Sequence, residues 1–336
     1  MDKKLKGFVF QPKGETRDTF FTPRSIAALS ENVDLTFIDT AYRVTKEMLI
    51  DEIRGKGYNI LFSGWGTMPI DADILDAAPE LKMIAYDGGS VAGVATEALY
   101  DRGVKLICGN KVFAMSVAEA TVCYMMAASR RLEANIAEVR RGGWHGTIPY
   151  DSGLFFKKIG IIGYGTIGKL VAEYLKPYSP ELYIYDKFVP RDVIEKVGRY
   201  AALDELFSEC DIVTLHLSRN PGTLVMINRS LLEKLRPGAL FVNTARGAIV
   251  DEEALIDLLK QGRFSAALDV FVNEPLAADS PLRTLPNVLP MPHRAGPTID
   301  MREIVVLELA RDIARFIEGE PLVHEVSLAY ARQMTQ

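Results

Sequence analysis

One stretch constrains the fold more than any other: KKIGIIGYGTIGKLVAEYL, residues 157–175. An apolar run at 159–162 leads into Gly163, Gly165 and Gly168, and apolar residues then recur at helical spacing. This reads as strand, tight turn and helix. The next apolar run, 182–185, closes on Asp186. Two strands joined by one helix pair in parallel, and a parallel sheet needs helices on both faces.

The three glycines have separable reasons. Gly163 permits the tight turn, Gly165 lets a ligand approach the backbone, and Gly168 lets helix and strand pack closely. Tyr164, Thr166 and Ile167 stand between and after them. The free amides of Thr166 and Ile167 at a helix start suit a pyrophosphate. Asp186 stands 23 residues on from Gly163. A carboxylate there accepts hydrogen bonds from adenine-ribose hydroxyls and repels a 2′-phosphate, which favours NAD over NADP. Lys187 beside it softens that preference. The alternative is a glycine-rich turn that holds no nucleotide, with Asp186 a solvated strand-end acid.

The chain has 336 residues, enough for two domains, and its 48% hydrophobic and 25% charged residues are ordinary for a soluble globular protein. A net charge of −5 argues against nucleic acid or an anionic membrane as main partner. Cys108, Cys123 and Cys210 are widely spaced with no CxxC pair, so we expect no structural metal and a reducing, cytoplasmic setting. The N-terminal apolar run is too short for a signal peptide, and no apolar run approaches the ~20 residues of a membrane span.

Strands are expected at 6–10, 35–38, 60–63, 83–86 and 104–108, then at 159–162, 182–185, 212–216, 239–243 and 266–268. Helices are expected between them at 25–29, 45–54, 71–78, 94–101 and 116–131, then at 167–176, 203–209, 229–235 and 252–261. In the helix at 116–131, Ser116 and Glu119 have capping-box spacing. Residues 141–156 and 273–293 read as irregular, and a last helix at about 299–317 returns the chain to its first half.

Further chemistry-bearing residues fall at or after strand ends. Arg246 follows the strand at 239–243, Asp269 follows the one at 266–268, and Glu274 and His293 come after it. Parallel sheets hold ligands at the carboxyl ends of their strands. Arginine can pair with a carboxylate and polarise an adjacent carbonyl. Histidine can exchange the hydroxyl proton, and a neighbouring carboxylate fixes its tautomer. Together they suit hydride transfer between a dinucleotide and a 2-keto or 2-hydroxy acid. Each also has a plain reading: Arg246 as a surface ion pair, Glu274 as a loop cap, His293 as a packed loop residue, Asp269 as the cap of the turn after it.

These motifs resemble the D-isomer-specific 2-hydroxyacid dehydrogenases: VAE at 117–119, GYGTIG at 163–168, LHL at 215–217, NTARG at 243–247, LDVF with NEP at 268–275, and PHRAG at 292–296. Their order and spacing match over 118–298; residues 1–110 match only in general pattern. The resemblance implies two Rossmann- or flavodoxin-like doubly wound α/β domains separated by an active-site cleft. The NAD-binding domain would be 113–295, and the substrate domain 1–112 with 296–336. It also implies a homodimer built on the NAD-binding domains. Arg246 would bind the substrate carboxylate and carbonyl, with His293 the acid/base paired to Glu274. Asp269 would contact the nicotinamide side, and His216 and Leu217 would pass the adenine or its ribose. Thr244, Ala245 and Gly296 join the cofactor set by their place in these motifs.

The loop YDGGSVAGVA makes Gly89 and Ser90 candidates for holding the carboxylate, and Trp65 could wall the pocket or pack in the core. Ala92 and Phe113 stand where the family often has Asp and Asn, which leaves the identity of the acid open. Two other functions fit the same scaffold: an NAD(H)-sensing, corepressor-like binding protein, and a dehydrogenase of another small anion.

Overall fold

The structure, a computed structural model, describes residues 4–144 and 151–335. Residues 145–150 of the loop expected at 141–156 lie outside the described residues. The chain forms two compact units, Met1–Phe113 with Pro297–Gln336, and Ala114–Gly296.

Unit 1 holds β1 (Leu5–Val9), β2 (Val33–Phe37), β3 (Ile60–Ser63), β4 (Met83–Tyr86) and β5 (Lys105–Cys108). All pair in parallel, in the order β2-β1-β3-β4-β5. Every residue of β3 and β4 is buried, as befits strands covered on both faces. Phe20, Phe62, Val305 and Leu309 pack on one side, and Phe8, Leu49, Leu61 and Ile74 on the other. The final helix, Ile299–Glu318, supplies Val305 and Leu309 and ends at Gly319 in the left-handed conformation.

Unit 2 holds β6 (Lys158–Ile162), β7 (Glu181–Tyr185), β8 (Arg199–Tyr200), β9 (Ile212–Leu215), β10 (Leu240–Asn243), β11 (Ser265–Leu268) and β12 (Val288–Pro290). The sheet is parallel throughout, in the order β12-β11-β10-β9-β6-β7-β8. Sequence order reverses across β6 and β9, so the glycine-rich turn after β6 sits at the switch point of a doubly wound sheet. Phe207, Phe241, Leu232 and Leu268 fill one side. Ile159, Ile161, Val171 and Val242 fill the other.

Strand positions follow the expectation closely, with two additions. β8 has two residues, too few to show a period, and β12 lies in the segment read as irregular. Pro290 is tolerated because β12 is an edge strand.

One expectation fails at the long helix, which spans Asn110–Ser129 rather than starting at Ser116. Ser116 is buried inside it, and its Oγ has no partner, so there is no capping box. Burial of Val112 and Ala114 extends the helix toward its N-terminus. This helix is also long and apolar enough, by length and composition, to cross a membrane, against the expectation that no such run exists. Ala118, Val122, Tyr124 and Met125 pack into the unit 2 core. A second helix, Leu132–Arg140, follows a left-handed Arg131.

Candidate active site

The turn after β6 has the geometry its glycines suggest. Gly163 has φ +95°, and a Cβ there would lie 2.6 Å from the His216 carbonyl oxygen. A Cβ on Gly168 would lie 2.1 Å from the Gly163 carbonyl oxygen, so the helix Thr166–Leu175 starts hard against the strand. A Cβ on Gly165 would meet nothing within 4 Å. That open side, at the N-terminus of a ten-residue helix, fits a pyrophosphate.

Asp186 follows β7, and its carboxylate is fastened by three amides. Oδ2 accepts from Tyr164 N at 2.7 Å; Oδ1 accepts from Phe188 N at 2.7 Å and Val189 N at 2.9 Å. The acid therefore ties the glycine turn to the end of β7. Lys187 is exposed, with Nζ 5.9 Å from the Phe188 ring centre.

Across the turn, His216 donates its amide to Ile162 O at 2.7 Å, and its Nε2 lies 3.1 Å from Thr214 Oγ1. Burial pushes the imidazole down to about 3, so it is neutral at physiological pH. Its buried Nδ1 has no partner. Leu217, next along, is half-buried.

The turn after β10 is braced from both sides. Asn243 Oδ1 accepts from Ala245 N at 3.0 Å, and its Nδ2 donates to Arg246 O at 3.1 Å. Thr244 Oγ1 pairs with Thr121 Oγ1 at 2.8 Å. A Cβ on Gly247 would come within 1.9 Å of the Phe271 carbonyl carbon, so this turn lies directly on the segment after β11. Asn243 was not among the sequence candidates; a polar residue closing the apolar run LFVN is the signal that marks it. Burial, together with the charge of Arg219, lowers the Arg246 guanidinium below its ordinary value, while Glu274 acts the other way. It remains a cation at neutral pH.

The histidine loop hangs from Asp269, which is fully buried. His293 N donates to Asp269 O at 2.9 Å, Arg294 N to Oδ1 at 2.8 Å, and Ala295 N to Oδ2 at 3.0 Å. Its carboxylate thus caps the loop at 294–295 rather than the turn that directly follows β11. Gly296 then packs against Ser116 and Val117, where a Cβ would meet the Ser116 Cβ at 3.0 Å. His293 itself has φ +52°, a left-handed conformation that costs a non-glycine residue about 1–3 kcal/mol unless its surroundings impose it. The three bonds from Asp269 impose it.

His293 Nδ1 meets Glu274 Oε2 at 2.6 Å, and Glu274 Oε1 accepts from Phe271 N at 3.0 Å. Burial raises the Glu274 carboxyl, but the bond from His293, the Phe271 amide, and the charges of His293 and Arg246 outweigh it and hold the group below its ordinary value. Glu274 is thus an anion paired with the Nδ1 side of the His293 ring. Its side chain is half-exposed.

The remaining candidates belong to unit 1. Gly89 packs on the Phe113 ring, and Asn110 Nδ2 donates to its carbonyl at 3.1 Å. Ser90 gives its hydroxyl to Thr335 O at 2.7 Å. Trp65 is half-exposed and meets Phe20 and Phe113 edge-on at 5.6 and 5.8 Å. Among the described residues no group of three or more His, Cys, Asp or Glu could hold a metal.

Residues 122–295 match the family profile described as D-isomer specific 2-hydroxyacid dehydrogenase, NAD binding domain. A D-3-phosphoglycerate dehydrogenase of Methanocaldococcus jannaschii is 32% identical over 286 residues, 84% of this chain and 54% of that protein. The chain thus spans about half the length of the first curated relatives it matches. A glyoxylate reductase of Aeropyrum pernix is 31% identical and is matched nearly end to end, over 91% of this chain and 92% of that one. Among solved structures, a 2-hydroxyacid dehydrogenase of Ketogulonicigenium vulgare superposes with a TM-score of 0.78 at 26% identity, covering 97% of this chain and 99% of that one. With a family match over more than half of its residues and a relative matched almost throughout, the chain belongs to the D-isomer specific 2-hydroxyacid dehydrogenases, and unit 2 carries their NAD-binding domain.

Proposed function

We propose that the protein is an NAD(H)-dependent oxidoreductase that interconverts a small 2-keto acid and a D-2-hydroxy acid. The observation that carries this reading is the 2.6 Å bond between His293 Nδ1 and Glu274 Oε2, on the unit that bears the glycine turn and Arg246. NAD, when bound, supplies or accepts the hydride. Every other role falls to the chain. The amides after Gly165 hold the pyrophosphate, and Asp186 takes the adenine ribose and disfavours a 2′-phosphate. The half-buried Arg246 pairs with the substrate carboxylate and draws electron density from the carbonyl oxygen. In reduction His293 gives a proton from Nε2 to that oxygen; in oxidation it takes the proton back. Glu274 stabilises the charged imidazole, and Asp269 holds the ring in place.

The assembly we infer is a homodimer. Leu132, Ile136 and Val139 are exposed on one face of the helix Leu132–Arg140, a face suited to a second copy. The free cysteines Cys108, Cys123 and Cys210 fit a cytoplasmic setting. The activity is tested by steady-state kinetics with NADH and NADPH across glyoxylate, hydroxypyruvate, pyruvate and phenylpyruvate, with formate and phosphite as other small anions. Turnover of keto acids with NADH supports the reading. NADH binding with no turnover on any of them would favour a sensor instead.

A further inference from the structure

A cavity opens at the amino ends of the unit 2 strands, and every residue that lines it belongs to unit 2. Its wall includes Lys157 just before β6, Asp211 just before β9, Leu240 at the start of β10 and Ser265 at the start of β11. Lys157 precedes β6 and Gly163 follows it, so about 20 Å of extended chain separates the two. Parallel sheets hold their dinucleotides at the carboxyl ends of the strands, so the cavity has no part in that binding. The exposed Ser152, Gly153 and Arg236 mark its mouth, and the buried Ala239 and Leu240 its floor. The volume is about 130 Å³, whereas a single water needs about 10–15 Å³, so a small organic molecule fits.

The wall carries an excess of positive charge. Arg131, Lys157 and Arg236 stand there with one acid, Asp211. That acid is already engaged: Oδ1 accepts from Arg236 Nη1 at 3.0 Å, and Oδ2 accepts from Lys158 N at 3.0 Å. Arg131 and Lys157 are half-buried, and among the described residues neither side chain has a hydrogen-bond or ion-pair partner. Burial costs a cation unless an opposite charge offsets it. The carbonyls at the end of the helix Asn110–Ser129 do not oppose an anion here, because Ala128 O and Ser129 O already accept the amides of Arg131 and Ser152.

Arg131 also stands where a helix commonly ends on glycine. It follows that helix with φ +46°, a left-handed conformation that glycine takes without strain and arginine does not. Glycine would make the turn at lower cost, so the side chain of Arg131 serves something besides the turn. A neutral or cationic ligand would leave both free cations unanswered. A phosphate answers both: the arginine fork takes two of its oxygens, and the lysine ammonium takes another as a point charge.

We propose that this cavity is a second binding site, taking a small phosphate-bearing anion between Arg131 and Lys157. It does not depend on the keto-acid reading above. The test is calorimetric titration of the full chain saturated with NADH, so that the glycine turn is already filled. The probes are glycerol 3-phosphate, inorganic phosphate and glycerol. We expect both phosphates to bind and glycerol not to bind; tighter binding of the ester assigns the site to an organic phosphate, and tighter binding of the free ion assigns it to phosphate itself. Lys157→Gln should weaken phosphate binding at least about tenfold, the loss expected for one bond to a charged group. Arg131→Gly separates binding from folding. It should weaken binding by at least about the same tenfold while raising the thermal midpoint of the phosphate-free protein, because the backbone strain is relieved. Failure of both phosphates to bind, binding of glycerol as tight as theirs, or an affinity unchanged in either variant overturns the proposal.

Discussion

Asp269 fixes the backbone of His293: its carbonyl accepts the His293 amide at 2.9 Å, and its two carboxylate oxygens take the next two amides. Placement of the His293 ring thus depends on an acid that is wholly buried. Asp269→Ala leaves two amides without acceptors, at a cost of about 2–4 kcal/mol. We expect a thermal midpoint lower by several degrees and a fall in kcat larger than any rise in KM. Asp269→Asn keeps one acceptor and should recover part of both. Unchanged kcat in Asp269→Ala would mean that the loop holds itself.

Gly247 carries a comparable constraint. Any Cβ there meets the Phe271 backbone at 1.9 Å, and backbone cannot move aside as a side chain does. Gly247→Ala should destabilise the protein by about 3 kcal/mol and shift Arg246 with the turn. Denaturant unfolding measures this, and a loss below about 1 kcal/mol would show that the two segments separate easily.

Two carboxyls give opposite pH signatures. Glu274 has a lowered folded pKa, so its contribution is present above the ordinary value of 4.5 and is lost as pH falls through the folded value. The stability difference between wild type and Glu274→Gln should therefore be visible at pH 6 and shrink as pH falls below 4.5. Burial raises the Asp87 carboxyl from 3.8 to about 7, so the folded state holds a proton that the unfolded chain has released. Stability is lost as pH rises through that window, and Asp87→Asn should gain on wild type between pH 4 and pH 7. Unfolding curves for both pairs across that range check the signs; parallel curves for either pair would contradict its assignment.

In the proposed function, cofactor choice rests on Asp186. Asp186→Ser removes the charge that repels a 2′-phosphate, and the kcat/KM ratio of NADH to NADPH should fall about tenfold or more. A constant ratio would shift the preference to other residues of the turn.

Much of this site is legible in the sequence because its signals are local. The glycines of 163–168 are separately forced by a positive φ, an open side and a close approach, and each shows within six residues. Parallel strands such as β3 and β4 are continuous apolar runs with clear ends. What escaped is long-range. Asn243 reads as the end of a strand until its bonds to Ala245 and Arg246 are seen. The Gln11–Asp87 pair joins residues 76 apart. The long helix misled because Ser-x-x-Glu also occurs inside helices, and burial of Val112 and Ala114 decided its start.

The account turns on proton transfer at His293 Nε2. The most direct measurement is kcat for NADH-dependent reduction of glyoxylate or hydroxypyruvate by wild type and His293→Gln, with NADH binding followed by fluorescence. We predict that kcat falls at least about a hundredfold while NADH still binds. A purified His293→Gln protein that turns over within about threefold of wild type, against the loss expected for a missing acid/base, would contradict it.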